Sequence, residues 1–344
     1  MPKALRLLLP LLAILLSACS RRPEPQGAPD PANAVYYWRT TLALDSLERA
    51  FLADHHIRKM SVRFFDVVAT SDGQLQPNAT LRFRDSIPSG IEVIPTVFIT
   101  PDCLHHNPTD KARTIVDRML QMCRTNGIEG VRELQFDCDW TQSTQQTYFD
   151  LLATIRDILH QQGLRMSVTI RLHQLALPSP PADYGVLMMY NTGDATDRNC
   201  TNPILSAPDI EPYLRYLGDY DLPLCAAYPN FSWNLLFHGE DFVDILYGID
   251  LGDTLLYRPD GDGRFVVRRT TTVGLGLSED ASSTELHPGD EVLVRRAEPS
   301  VVLSVHNRLS ALRPSINNQV IIYSLDSTNI SQFNPNDYET ILHP

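Results

Sequence analysis

Leu134-Gln135-Phe136-Asp137-Cys138-Asp139-Trp140-Thr141 is the stretch on which the fold turns. It alternates as a β-strand does, so Asp137 and Asp139 project from one face with Cβ atoms roughly 6–7 Å apart. Two like charges so close are costly to bury. Such a pair either shifts a proton affinity or is satisfied by nearby donors, Arg171 among them.

Outward from this stretch, eight runs rich in β-branched and aromatic residues read as strands: 35–40, 59–67, 92–100, 133–140, 165–172, 184–191, 222–228 and 319–324. Between them lie patterns with apolar residues near a 3.6-residue spacing, which predict helices over 42–53, 109–125, 144–162, 210–217 and 300–312. The crossings at 69–90 and 173–183 offer little helix, the second because of Pro178, Pro180 and Pro181. Strands alternating with helices imply a parallel sheet, and eight of them close most economically into a (β/α)8 barrel spanning 34–344. A doubly wound open sheet is the alternative. Residues 252–298 break the rhythm, with expected antiparallel strands at 254–257, 264–271 and 291–295 joined by turns around Gly261 and Gly289. This is a small antiparallel β insertion after the seventh strand, either standing over the barrel mouth or ornamenting the surface.

Barrels carry their chemistry at the C-terminal ends of their strands. There this chain presents Asp137 and Asp139 on strand four, and Tyr190 beside Asn191 at the end of Leu187-Met188-Met189-Tyr190-Asn191 on strand six. The second run, Val62-Arg63-Phe64-Phe65-Asp66, ends on another acid. Trp38 and Arg39 lie on strand one, Arg171 on strand five and Tyr323 on strand eight, with Tyr228 and Trp233 after strand seven. Aromatic faces stack on sugar rings, and guanidinium groups bind hydroxyls or carboxylates. Asp137, Asp139 and Tyr190 are therefore the expected reacting centre. Trp38, Arg63, Asp66, Trp140, Arg171, Asn191, Tyr228, Trp233 and Tyr323 are the expected binding residues. Glycoside cleavage needs two carboxyls about 5–9.5 Å apart, a spacing an Asp pair on one strand meets.

Asp137-Cys138-Asp139-Trp140 and Met188-Met189-Tyr190-Asn191 together resemble motifs of the family-18 glycoside hydrolases, the chitinases and their relatives. That family's fourth strand ends Asp-x-Asp-Trp-Glu and its sixth carries Met-x-Tyr-Asp. Many members also hold an extra domain in the loop after strand seven. The resemblance implies a (β/α)8 barrel, an oligosaccharide ligand and a proton donor directly after the Trp. Here that position is Thr141, which has no carboxylic acid to give; Leu134 stands where the family's run begins with Asp, and Asn191 replaces the family's Asp. Two readings follow: a hydrolase whose acid is Asp137, Asp139 or Asp66, or a barrel that binds saccharide, or serves envelope assembly, without cleaving.

The N-terminus carries Lys3 and Arg6, a short apolar run to Leu16, and then Ser17-Ala18-Cys19. The run is too short to span a bilayer, which takes about 20 residues. The pattern resembles the lipobox of bacterial lipoproteins, which implies removal of residues 1–18 and a lipid on Cys19. Residues 19–33, with four prolines, read as an extended linker. Ser20, where such lipoproteins carry Asp for inner-membrane retention, points to the outer membrane.

The chain of 344 residues has a net charge of −12, so a basic nucleic-acid surface is not expected and a neutral glycan is the better partner. Five cysteines remain besides Cys19, without metal-ribbon or disulfide-scaffold spacing, although one disulfide is compatible with an oxidising compartment. Cys103, His105 and His106 lack a second cluster to complete a metal site. No serine-hydrolase elbow, phosphate loop or zinc-protease motif occurs, and no cofactor is expected.

Overall fold

Eight parallel strands close on themselves in the computed structural model, which describes residues 27–274 and 283–343. They are β1 (Ala34–Tyr37), β2 (Lys59–Ala69), β3 (Glu92–Ile99), β4 (Glu133–Asp137), β5 (Arg165–Ile170), β6 (Tyr184–Met188), β7 (Leu224–Pro229) and β8 (Val320–Tyr323). Each pairs with its sequence neighbour, and β1 pairs with both β2 and β8, which closes the ring. The fold is the expected (β/α)8 barrel. The expected signal segment, Cys19 and the linker to Gln26 lie outside the described residues, as do residues 275–282 of the insertion.

The helices fall near where the apolar spacing puts them: α1 (Ser46–Asp54) and α2 (Ala112–Thr125) begin later than expected, α3 (Gln145–His160) is trimmed at both ends, α4 (Ala207–Leu214) lies three residues earlier, and α5 (Pro299–Leu312) begins one residue earlier. Asp45 starts α1 by accepting from the Glu48 backbone while Glu48 reaches back, a reciprocal cap that stops the helix from beginning at 42. Two short helices close the chain, α6 (Ser327–Ile330) and α7 (Pro335–Leu342), both capped by a polar side chain, Asp326 and Asn334. The thin crossing after β2 contains a strand at Leu75–Asn78 antiparallel to it, and the one after β5 is a single tight turn, Leu172–Ala176.

The antiparallel insertion begins earlier than the expected residue 252. Ser232–His238 and Asp241–Leu246 form a hairpin that joins Glu291–Arg296, Arg264–Val267 and Tyr257–Pro259 in one five-stranded sheet. Leu236, Leu246, Tyr257, Val267 and Val292 form its own small core. Residues 27–33 are also not a free linker, because they are bonded along the base of the barrel.

On each barrel strand the outward set packs beneath the helices. On β4 this set is Leu134 and Phe136, and the same phase carries Cys138 and Trp140 outward too. Trp140 is wholly buried, 5.2 Å from Phe149 and 6.3 Å from Tyr148, both on α3. It is a core residue and not part of the mouth. Trp140→Ala is expected to cost about 3–5 kcal/mol in urea unfolding, the range for emptying a buried aromatic site.

Candidate functional site

The inward set of β4 is Glu133, Gln135 and Asp137, and each bonds the strand beside it. Ser167 on β5 donates to Glu133 at 2.5 Å, Gln135 donates to Ser167 at 3.2 Å, and Thr169 donates to Asp137 at 2.5 Å. Tyr184 on β6 adds a second donor to Glu133 at 2.6 Å, and Tyr36 on β1 donates across the barrel to Gln135 at 2.8 Å. The barrel thus carries a polar column from base to mouth where such interiors are dominated by branched apolar residues.

Arg171 stands at the top of that column. Its Nε binds Asp139, its Nη2 lies 3.4 Å from Asp137, and its Nη1 points at the Met188 sulfur. Burial works against its charge, but the carboxylates of Asp137 and Asp139 hold the guanidinium protonated above its ordinary value. Burial likewise pushes the Asp137 carboxyl up, with Asp139 and Asp66 adding to the rise and Arg171 and Thr169 opposing it. Both aspartates face one cation, with Asp137 buried and Asp139 half-exposed.

Asp66 reaches the same region through a β-bulge. Pairing of β2 with β3 slips between Arg63 and Phe65, which resets the alternation and lets residues three apart share a face. Arg63 Nε donates to Asp66 at 2.7 Å, and the guanidinium lies 5.7 Å over the Trp38 ring. All three candidate acids are therefore bound to arginine.

Aromatic rings line the other side of the mouth. Trp38 lies 6.0 Å from Tyr323, which stacks on Tyr190 at 4.6 Å; Tyr190 meets Phe231 at 6.1 Å, and Phe231 meets Trp233 at 5.3 Å. Among the described residues the buried Tyr190 hydroxyl has no hydrogen-bond partner, and burial pushes its phenol well above the ordinary value. A cleft of about 260 Å³ opens beside Arg171 and Tyr190, lined by Asp139, Arg171, His173, Met188, Tyr190, Asn191 and Tyr213 among others; of the aromatic row only Tyr190 lines it. Asn191 is exposed, with a left-handed φ of 55° that Asn tolerates where the chain leaves the barrel.

Two expected binding residues are elsewhere. Trp140 is in the layer under α3, and Tyr228 faces outward, buried, its hydroxyl donating to Asn317 at 2.8 Å and its ring beside His306 of α5. Each lies on the opposite phase of its strand from the mouth residues. Arg39 pairs with Glu48 of α1 at 2.6 Å and with Asp326 at 3.6 Å. Thr141 is exposed, and its hydroxyl lies 2.9 Å from that of Ser143. Cys103, Cys123, Cys138 and Cys225 are buried thiols and Cys200 is half-buried, with no disulfide among the described residues. Among the described residues no three His, Cys, Asp or Glu side chains gather as a metal site.

Sequence reading missed Tyr36, Thr169 and Tyr213. The first two were accessible by extending the period-two phase of Trp38 and Arg171 one step into the barrel; Tyr213 lies on α4, and its place in the cleft depends on tertiary packing.

Solved structures share this architecture. A chitinase from Chromobacterium violaceum superposes with a TM-score of 0.54 at 15% identity, over 91% of this chain and 99% of that one. The fold is chitinase-like. The Bacillus cereus spore cortex-lytic enzyme SleL gives 0.51 at 14% identity over 90% and 73% of the two chains. A Cycas revoluta chitinase in complex with (GlcNAc)4 gives 0.50 at 12% identity over 90% and 99%. No sequence-family profile and no curated protein sequence matches the chain.

Glu133 offers a pH test. Burial raises its carboxyl above the ordinary 4.5. A carboxyl raised on folding contributes stability that is full below the unfolded value and is lost as pH rises through the folded one. The wild type is therefore expected to lose melting temperature as pH climbs from about 4.5 through that raised value. Glu133→Gln, which keeps an oxygen for Ser167 and Tyr184, is expected to flatten that slope in a calorimetric pH series; an unchanged slope refutes the assignment.

Proposed function

We propose that this chain is a lipid-anchored envelope protein that binds an oligosaccharide in the barrel mouth and does not hydrolyse it. The observation that carries this reading is the Arg171 guanidinium shared by Asp137 and Asp139. A general acid must hold a proton it can give up, and a base or stabilising carboxylate must be open to the reacting sugar. Asp137 and Asp139 bind one internal cation, Asp66 binds Arg63, and position 141 has a threonine hydroxyl, so no acid–base pair stands free: burial raises Asp137, but Arg171 opposes its protonation and also binds the half-exposed Asp139. Trp38, Tyr323 and Trp233 supply stacking faces, and the unpartnered Tyr190 hydroxyl supplies a donor for a ligand oxygen. The lipid on Cys19, and the outer membrane as its location, are part of the same reading and rest on the N-terminal sequence.

Titration calorimetry with (GlcNAc)4 and other neutral oligosaccharides, run beside a product assay, tests it. Binding without product is expected, and Trp38→Ala is expected to weaken binding about tenfold, the equivalent of 1.4 kcal/mol. Product release that Asp137→Asn abolishes would instead make Asp137 the acid of a working hydrolase. Failure of every glycan to bind would remove the saccharide reading and turn attention to a protein ligand at the insertion.

A further inference from the structure

Residues 27–33 cross the base of the barrel from one side to the other. Arg165 Nη2, at the start of β5, donates to the carbonyls of Gly27 and Ala28 at 2.9 and 2.8 Å. Gly27 has a φ of 104° and packs so tightly on the Asp183 backbone, just before β6, that a Cβ would approach its carbonyl oxygen to 2.6 Å. Asp30 then reaches Lys59 at the start of β2, 3.3 Å away, and lies 3.9 Å from Arg132, which precedes β4. Asn33 accepts from the Val320 backbone at the start of β8 at 3.0 Å and donates to the Leu342 carbonyl at 2.8 Å. Every partner but the last sits at the N-terminal end of a barrel strand. In an eight-strand ring β5 and β6 lie opposite β1, so the segment is a strap across the floor. It covers Lys59, which is buried beside Glu133.

We infer that this strap fixes the base of the barrel toward the membrane and the mouth away from it. The inference rests on the lipid reading of Cys19. Eight Cα–Cα steps separate Cys19 from Gly27, a reach of at most about 29 Å fully extended. A domain of this length is about 50 Å across. A tether that leaves the floor under β5 and β6, and is little more than half as long as the domain is wide, cannot turn the mouth onto the bilayer that holds it. The mouth then takes a glycan presented from beyond that surface, and not a saccharide linked to a lipid of the same leaflet.

Full-length lipidated protein in phosphatidylethanolamine–phosphatidylglycerol vesicles, with a headgroup quencher on a small fraction of the lipid, tests this. A fluorophore is placed at Arg58→Cys, exposed beside the floor, or at Asp194→Cys, exposed in the loop after β6; Cys200→Ser is present in both. The inference predicts at least threefold stronger quenching at 58 than at 194. It also predicts that about 20 Gly and Ser residues inserted between Gln26 and Gly27 erase the difference. Equal quenching without the insertion, or stronger quenching at 194, overturns it. The mass of the N-terminal peptide separates the two readings: an unmodified Cys19 overturns the lipid anchor itself, and the orientation with it, before any quenching is compared.

Discussion

One guanidinium between two aspartates sets the terms for the rest of this structure. Asp137 and Asp139 sit on the same face of β4 because strand geometry leaves no choice, and their charges have to be met inside a narrow, poorly solvated ring. Arg171, two residues beyond Thr169 on the same phase of β5, meets both. Below it Thr169, Ser167, Gln135 and Glu133 continue the same demand, each side chain bonded to the neighbouring strand. Removing one member of such a network leaves a buried group unsatisfied, which is why the column is better regarded as one structural unit than as separate contacts.

That arrangement accounts for what was legible beforehand. The strands and their order could be read because each is a buried run between polar turns, and the pairing of Asp137 with Asp139 followed from a period of two. The same period, applied without fixing its phase, misplaced Trp140 and Tyr228: one step along a strand moves a side chain from the mouth to the layer under the helices. Asp66 was found at the mouth although strict alternation from Arg63 would have turned it away, because a bulge whose position has no clear sequence signature restores it.

Other elements were obscured for tertiary reasons. Ser232–His238 follows β7 after two residues and has the same apolar character, so only its pairing with Glu291–Arg296 separates it from the barrel. The prolines of residues 19–33 suggest a free spacer, yet the carbonyls of Gly27 and Ala28 bind Arg165 and the carboxylate of Asp30 binds Lys59, contacts between positions far apart in the chain. Both cases concern long-range partners that local composition does not encode.

A chitinase-like barrel whose mouth has aromatic rings and whose acids are bound to arginine is the basis of the proposed saccharide-binding reading. The account depends on the claim that Arg171 and Asp137 are energetically coupled and not merely adjacent. A double-mutant cycle of Arg171→Met and Asp137→Asn, read by urea unfolding, measures that coupling. The account predicts that Arg171→Met alone costs about 3–5 kcal/mol, as removal of one partner of a buried pair does, and that the cycle returns a coupling of about 2 kcal/mol. Additivity within about 0.5 kcal/mol would contradict it, leaving Asp137 free to act as an acid.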